Sequence, residues 1–313
     1  MALAKVSTLE MDRTQWLRER QKGIGGSDAS IILGFNKWKS PFQLYLEKTG
    51  EHVEEINNEF IYWGNVLEDV VAKEFEVRTG KKVRRRNQMF KHSDYPWMLA
   101  NIDRDVVGEK ALLECKTTNS FNKDAWDGDD VPAAYLCQLQ HYMAVLGYEK
   151  AYIAVLIGGN HFVWKEVERD DEFIEIMIQH EKNFWENHVL AGVPPQIDGS
   201  PSATELLNKL YPTDNGEAII LDQQSETLVE AIESLKADKK QLEDQLKAYE
   251  NQLKMTLEEA SEGHSPRFKV TYKAQTRNTI DSKRLKEEAP AVYEKYVKPS
   301  TIRVLKIKQL EAN

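Results

Sequence analysis

Hydrophobic periodicity changes sharply at Gly80, and that change restricts what the first two-thirds of this chain can become. Before it, Val66, Leu67, Val70, Val71 and Phe75 recur at helical spacing, which predicts an amphipathic helix over about 65–78 that Gly80 ends. After it come three short β-rich segments, 83–90, 98–107 and 111–117, parted by Tyr95-Pro96 and Gly108. Pro132 opens a further helix through Leu136, Leu139, Tyr142 and Leu146, and 151–157 and 161–167 form a hairpin around Gly158-Gly159-Asn160. A helix over 171–190 follows. Upstream, Asp12 caps a helix ending near Gly23, Ser27 or Asp28 caps a short second one, and Pro41 opens a third. This order predicts an α/β domain over 1–195 with a mixed central sheet flanked by helices.

Pro194, Pro195, Pro201 and Pro212 fall within 192–216, and 196–222 is read as a linker. Over 223–262, Leu228, Leu235, Leu242 and Tyr249 repeat every seven residues. Ile232, Lys239, Leu246 and Leu253 fill the second seam position, so a long coiled-coil-like helix is expected, either dimerising or packing back on the domain. The remainder, 263–313, is a small basic α+β region with strand-like FKVTYKAQT and TIRVLKI around a helical SKRLKEE.

Net charge is −9, an unusual sum for a nucleic-acid binder, but it is unevenly spread. From His264 onward there are 12 Lys and Arg against 5 Asp and Glu, and the acidic part holds a tight basic run from Lys81 to Arg86. Such a mixture suits a protein that holds carboxylates for a metal beside cations for phosphate. Two cysteines, Cys115 and Cys137, exclude a disulfide framework and a four-cysteine metal site, and fit a reducing cytoplasm. Neither a signal-peptide core nor a ~20-residue apolar span is expected.

The chemistry centres on Asp103 and on Glu114-Cys115-Lys116. Strand alternation puts Glu114 and Lys116 on one face, and adjacent strands lie about 5 Å apart. Asp103 and Glu114 can therefore share a hard cation with the Cys115 carbonyl. Mg²⁺, or Mn²⁺ in its place, keeps waters that can attack a phosphodiester, and Lys116 can orient or deprotonate one. Acid-x-Lys alone is weak, since Asp238-x-Lys240 and Asp281-x-Lys283 repeat it on polar stretches. Here it follows an apolar Ala111-Leu112-Leu113, an acid precedes it, and Glu68 sits upstream among Val66, Leu67 and Val70, where a carboxylate needs a partner.

The wider set of motifs is Trp16-x3-Arg20, Ile24-Gly25-Gly26-Ser27-Asp28-Ala29, Trp63-Gly64-x3-Glu68, Asp103, Leu113-Glu114-Cys115-Lys116 and Gln138-x-Gln140-x-Tyr142. Over about 10–192 it resembles the YqaJ-like viral recombinase family, which is similar to the lambda-phage exonuclease within the PD-(D/E)XK nuclease superfamily. The resemblance implies a restriction-endonuclease-like fold and a metal held by Asp103, Glu114, the Cys115 carbonyl and Glu68. It implies catalytic roles for Lys116, Gln138 and Tyr142, and an end-phosphate site at Arg20 and Ser27. Gln140, Lys82, Arg84 and Arg86 are carried as DNA contacts. The classical proline before the first acid is absent from Asn101-Ile102-Asp103. The activity implied is 5′-to-3′ digestion of linear duplex DNA, leaving 3′ overhangs for a single-strand annealing protein. A phage- or prophage-encoded protein forming a ring trimer in a bacterial host is implied with it.

Two other functions compete. One is an endonuclease of the same superfamily, which would have no use for an end-phosphate pocket; the other is a non-catalytic DNA-binding or scaffold protein, which would have no use for the clustered ionisable set. Each residue also has a plainer reading. Arg20 and Ser27 can be a helix-end ion pair and an N-cap, Gln138 and Tyr142 a polar helix face, and the basic run a solvated strand. Trp38 and Trp63 are expected in the core, and His92, His141 and His161 show no ligand spacing.

Overall fold

A computed structural model describes residues 4–50, 58–300 and 302–308, in two compact units that meet at Lys209 and Leu210. The first unit begins with strand β1 (Ala4–Ser7), helix α1 (Arg13–Gln21), a two-residue strand β2 (Ile24–Gly25), α2 (Gly26–Ile32), α3 (Pro41–Thr49) and α4 (Glu59–Thr79). Strands β3 (Val83–Arg85), β4 (Gln88–Lys91), β5 (Met98–Ala100), β6 (Arg104–Val106) and β7 (Ala111–Thr118) follow. After a 3₁₀ segment at Ser120–Trp126 come α5 (Ala133–Leu146), β8 (Lys150–Ile157), β9 (His161–Glu168) and α6 (Asp171–Phe184). A wider π-type turn, Trp185–Leu190, continues α6, and α7 (Pro201–Leu210) follows, with the division between the units falling at its last residue.

Five strands pair in the order β3-β6-β7-β8-β9, with β7 and β8 parallel and the other pairs antiparallel. A second sheet runs β1-β4-β5-β2. The expected mixed sheet flanked by helices is therefore present, with a second sheet beside it. The segments 83–90 and 98–107, expected as single strands, are each broken in two. At 86–87 and 101–103 the chain crosses from one sheet to the other; Arg86, Asn87, Asn101 and Asp103 lie at the crossings, and Ile102 between the last two is buried in the core.

Strand alternation sorts β7 between two cores. Leu113 and Ala111 pack with Val71, Ala72 and Phe75 of α4, while Leu112 packs with Leu139 and Met143 of α5. Each fully buried side chain of this kind contributes about 1.5–3 kcal/mol. Only the C-terminal half of α4 packs in this way. Val66 and Val70, expected on its buried stripe, are 46% and 54% exposed. Gly80 ends α4 at φ +73°, a left-handed turn that favours glycine.

Several local expectations are corrected. The α2 cap is Gly25, not Ser27 or Asp28, because the Asp28 carboxylate turns back to accept the Gly25 amide. Trp38 and Trp63 lie on the surface, not in the core. The expected linker, 196–222, contains α7, with Ala203 and Leu206 buried.

The second unit holds α8 (Gln223–Leu257), a small hairpin of β10 (Glu262–His264) and β11 (Lys269–Thr271), then α9 (Ser282–Glu288) and α10 (Pro290–Tyr296). The expected final strand does not form over 302–308. No helix among the described residues is long and apolar enough to cross a membrane.

Candidate active site

Asp103 sits in the crossing between β5 and β6, where its side chain is free of the ladder. Its Oδ2 accepts the Cys115 amide at 2.8 Å, so the acid is fastened to the middle of β7. A residue's N–H and C=O point to the same edge of an extended strand, which turns the Cys115 carbonyl the same way. The Cys115 thiol is pushed up by burial and by the Asp103 and Glu114 charges, so the residue offers its backbone and not a thiolate.

Glu114 is 3% exposed. Its Oε1 accepts both Lys116 Nζ and Gln138 Nε2 at 2.7 Å, and Gln138 also donates to the Tyr142 hydroxyl at 3.1 Å. Glu114 and Lys116 thus share a face of β7, as strand alternation requires, and that face looks onto α5. Lys116 Nζ also lies 5.3 Å from the centre of the Tyr135 ring. Burial works against the Lys116 charge, but Glu114 and Asp103 outweigh it and raise its pKa. Asp103 is raised in turn, first by burial and then by Glu114.

A small hard cation fits this arrangement. Glu114 Oε2 is buried without a hydrogen-bond partner, beside a second carboxylate that repels it. Mg²⁺ needs only one or two carboxylates because it keeps several waters. No group of three or more His, Cys, Asp and Glu side chains spaced for a metal occurs among the described residues. Glu68 shares a cavity with Asp103, and its charge helps to raise the Asp103 pKa; it is held by Arg85 at 2.9 Å and by Arg104, whose guanidinium also reaches Asp69 and the Asp103 carbonyl. Through Arg104, Glu68 is thus linked to the backbone at Asp103.

Arg20 and Ser27 open into the same cavity, of about 250 Å³, as Asp103, Glu114, Lys116, Gln138 and Tyr142. Arg20 donates to Ser27 Oγ at 3.0 Å and stacks 4.9 Å from the Trp16 ring centre. Behind them, buried Asp28 accepts Lys48 Nζ at 2.7 Å and the Gly25 amide at 2.9 Å, with Arg20 at 3.5 Å. Burial alone would raise the Asp28 pKa, but Lys48 and Arg20 hold it well below the usual carboxylate range. Gly26 is needed for close approach, since a Cβ there would lie 2.5 Å from Tyr142 Cε1. Two further cavities adjoin. One, of about 520 Å³, runs from Arg20 and Ser27 past Trp38 to Leu206 and Lys209 of α7. The other, of about 300 Å³, joins Asp103 to Glu68, Arg85 and Arg86.

The remaining expected contacts lie elsewhere or are already paired. Gln140 is buried away from the site, donating to the Glu168 carbonyl at 2.8 Å and accepting the Asp170 amide at 3.0 Å. Arg84 and Arg86 both pair with buried Asp105, at 3.3 and 2.6 Å, though Arg86 also lines the cavity beside Asp103. Lys82 lies 3.8 Å from Glu76. Lys48 and Arg104 were missed from the sequence. Arg104 carried a signal, a cation set between Asp103 and Asp105 in a short β-rich segment; Lys48 carried none.

The model of the YqaJ-like viral recombinase domain matches residues 15–149. Protein YqaJ of Bacillus subtilis (strain 168) is 49% identical over 312 residues, covering 98% of this chain and 97% of its own. An Acanthamoeba polyphaga mimivirus protein is 24% identical over 157 residues, 46% of this chain and 28% of that one. An alkaline exonuclease from Laribacter hongkongensis shares the fold, with a TM-score of 0.50 at 18% identity, covering 63% of this chain and all of that one.

Proposed function

The chain belongs to the YqaJ-like viral recombinase family, and from that premise we propose that it is a magnesium-dependent exonuclease acting on the 5′ ends of linear duplex DNA. The observation that carries this reading is that a single cavity contains the carboxylate pair with Lys116 and the Arg20–Ser27 pair. An enzyme that cuts internally has no use for a fixed end-phosphate contact beside its scissile site.

Asp103, Glu114 and the Cys115 carbonyl would hold Mg²⁺, with Mn²⁺ able to replace it. The ion supplies a polarised phosphodiester and a water of lowered pKa. The protein's own groups do the remaining work. Arg20 offers a planar fork and Ser27 a hydroxyl to the terminal 5′-phosphate, and the Gly25-Gly26 turn lets that phosphate come close to the backbone. Lys116, an ammonium bonded to Glu114, offsets charge that builds on the phosphate under attack. Gln138 and Tyr142 fix the Glu114 carboxylate, while Glu68 and Arg104 fix the Asp103 backbone. Stripping the 5′ strand leaves a 3′ single strand, the substrate of a single-strand annealing protein.

The test is time-resolved digestion of 5′-phosphorylated linear, 5′-hydroxyl linear and covalently closed circular duplexes, with Mg²⁺ or EDTA. Phosphorylated linear DNA should be degraded fastest, and only with the metal. Cleavage of the closed circle at a similar rate would remove the exonuclease reading.

A further inference from the structure

The seam of α8 stands open. Leu228, Leu235, Leu242, Leu246, Tyr249 and Leu253 are between 45% and 68% exposed along one stripe of a 35-residue helix. Heptad order assigns Leu235 and Leu242 to one core position, and Lys239 and Leu246 to the other. Among the described residues of its unit, no other helix is longer than the seven residues of α9 and α10, so none matches this stripe in length. A second copy of the same helix matches it completely.

Charge decides the direction. In a parallel pair Lys239 would face Lys239 of the other copy in the core, and Asp238 would flank Glu243 of the other copy, like against like. In an antiparallel pair the two-fold axis falls between Lys240 and Gln241. Leu235 then packs on Leu246, Leu228 on Leu253, and Lys239 meets Leu242 instead of itself. The flanking positions beside the axis become Lys236 and Glu243, opposite charges that meet twice by symmetry. Within one helix these side chains are spent only on exposed pairs, Lys236 with Glu233 at 2.8 Å and Lys239 with Glu243 at 3.6 Å.

We propose that α8 is an antiparallel homodimerisation helix, joining two copies of this chain through the seam centred on Lys240 and Gln241. The proposal does not rest on the nuclease reading, because no residue of the cavity enters it.

The full-length protein and charge-swap variants test it by sedimentation equilibrium. Wild type should form an assembly with an even number of chains. Glu243→Lys places like charges at both contacts of an antiparallel pair, and the dissociation constant should rise about ten-fold. In a parallel pair the same change would instead set the new ammonium against Asp238 of the other copy, an attraction that tightens association. Lys236→Glu combined with Glu243→Lys should restore the wild-type constant. That double variant leaves like charges within each helix, at Glu233 and at Lys239, so recovery reports the contact between copies. A monomer or trimer as the wild-type species, tighter association of Glu243→Lys, or no recovery in the double variant would each overturn the proposal.

Discussion

The Cys115 amide donates to Asp103 Oδ2 across 2.8 Å, tying the acid between β5 and β6 to the strand that carries Glu114. Burial and the Glu114 charge together raise the Asp103 pKa. Without metal, Asp103→Asn removes that repulsion while keeping an acceptor for the amide. Stability in EDTA should then rise by about 1 kcal/mol, roughly 2–4 °C in Tm. With Mg²⁺ and duplex DNA, hydrolysis should fall by about 10³-fold while DNA binding persists. Thermal melts with EDTA or Mg²⁺ and single-turnover digestion read these effects. A wild-type Tm unmoved by Mg²⁺ would count against the pair as a cation site.

Arg20 is held in position by Ser27 Oγ, by Asp28 and by the Trp16 ring, so its fork is oriented before any ligand arrives. Arg20→Ala should lower kcat/KM on 5′-phosphorylated ends by about 10–100-fold, the range for losing a charge-assisted hydrogen bond. On 5′-hydroxyl ends the same variant should be close to wild type. An equal loss on both ends would make Arg20 a structural residue, with no part in recognising the phosphate.

How far the sequence could be read depended on whether the signal was local. Glu114 and Lys116 share a face because strands alternate, and that follows from two positions in one strand. Gln138 and Tyr142 share a face for the same reason on a helix, and both reach Glu114's surroundings. Gln140, between them in sequence, necessarily points elsewhere, and it pairs with the backbone at Glu168 and Asp170. Long-range pairing was invisible. Nothing near Lys48 marks it as the partner of Asp28, twenty residues upstream. Glu68 was read as a carboxylate in need of a partner, but its partners are Arg85 and Arg104. The breaks at 86–87 and 101–103 were hidden because each half of a broken strand keeps strand-like composition.

Gly26 lets α2 close on α5, since a Cβ would lie 2.5 Å from Tyr142 Cε1 and 3.0 Å from Gln138 Cγ. Gly26→Ala should therefore destabilise by about 1–3 kcal/mol through overpacking. It should also disturb the Gln138–Glu114 bond, lowering kcat without abolishing DNA binding. Urea melts of Gly26→Ala alone and with Tyr142→Ala check this. The second change makes room, so the effects should be non-additive. Simple additivity would show that the contact is relieved some other way.

Asp28 and Lys48 are a buried pair, each side chain 5% exposed, beneath the Arg20–Ser27 contact. The folded-state pKa of Asp28 is lowered from 3.8 because Lys48 and Arg20 outweigh the cost of burial. A depressed folded pKa contributes stability that is present above the unfolded value and lost as pH falls towards the folded one. Its share should therefore be intact at pH 7 and decline below about pH 4. Asp28→Asn leaves the Lys48 ammonium buried without its countercharge and should cost about 3–5 kcal/mol at pH 7. The gap between wild type and variant should narrow on acidification from about pH 5 to about pH 2.5, as wild type loses the same charge. Urea melts across that range measure the gap, and a constant difference would assign the pair's contribution to packing, not charge.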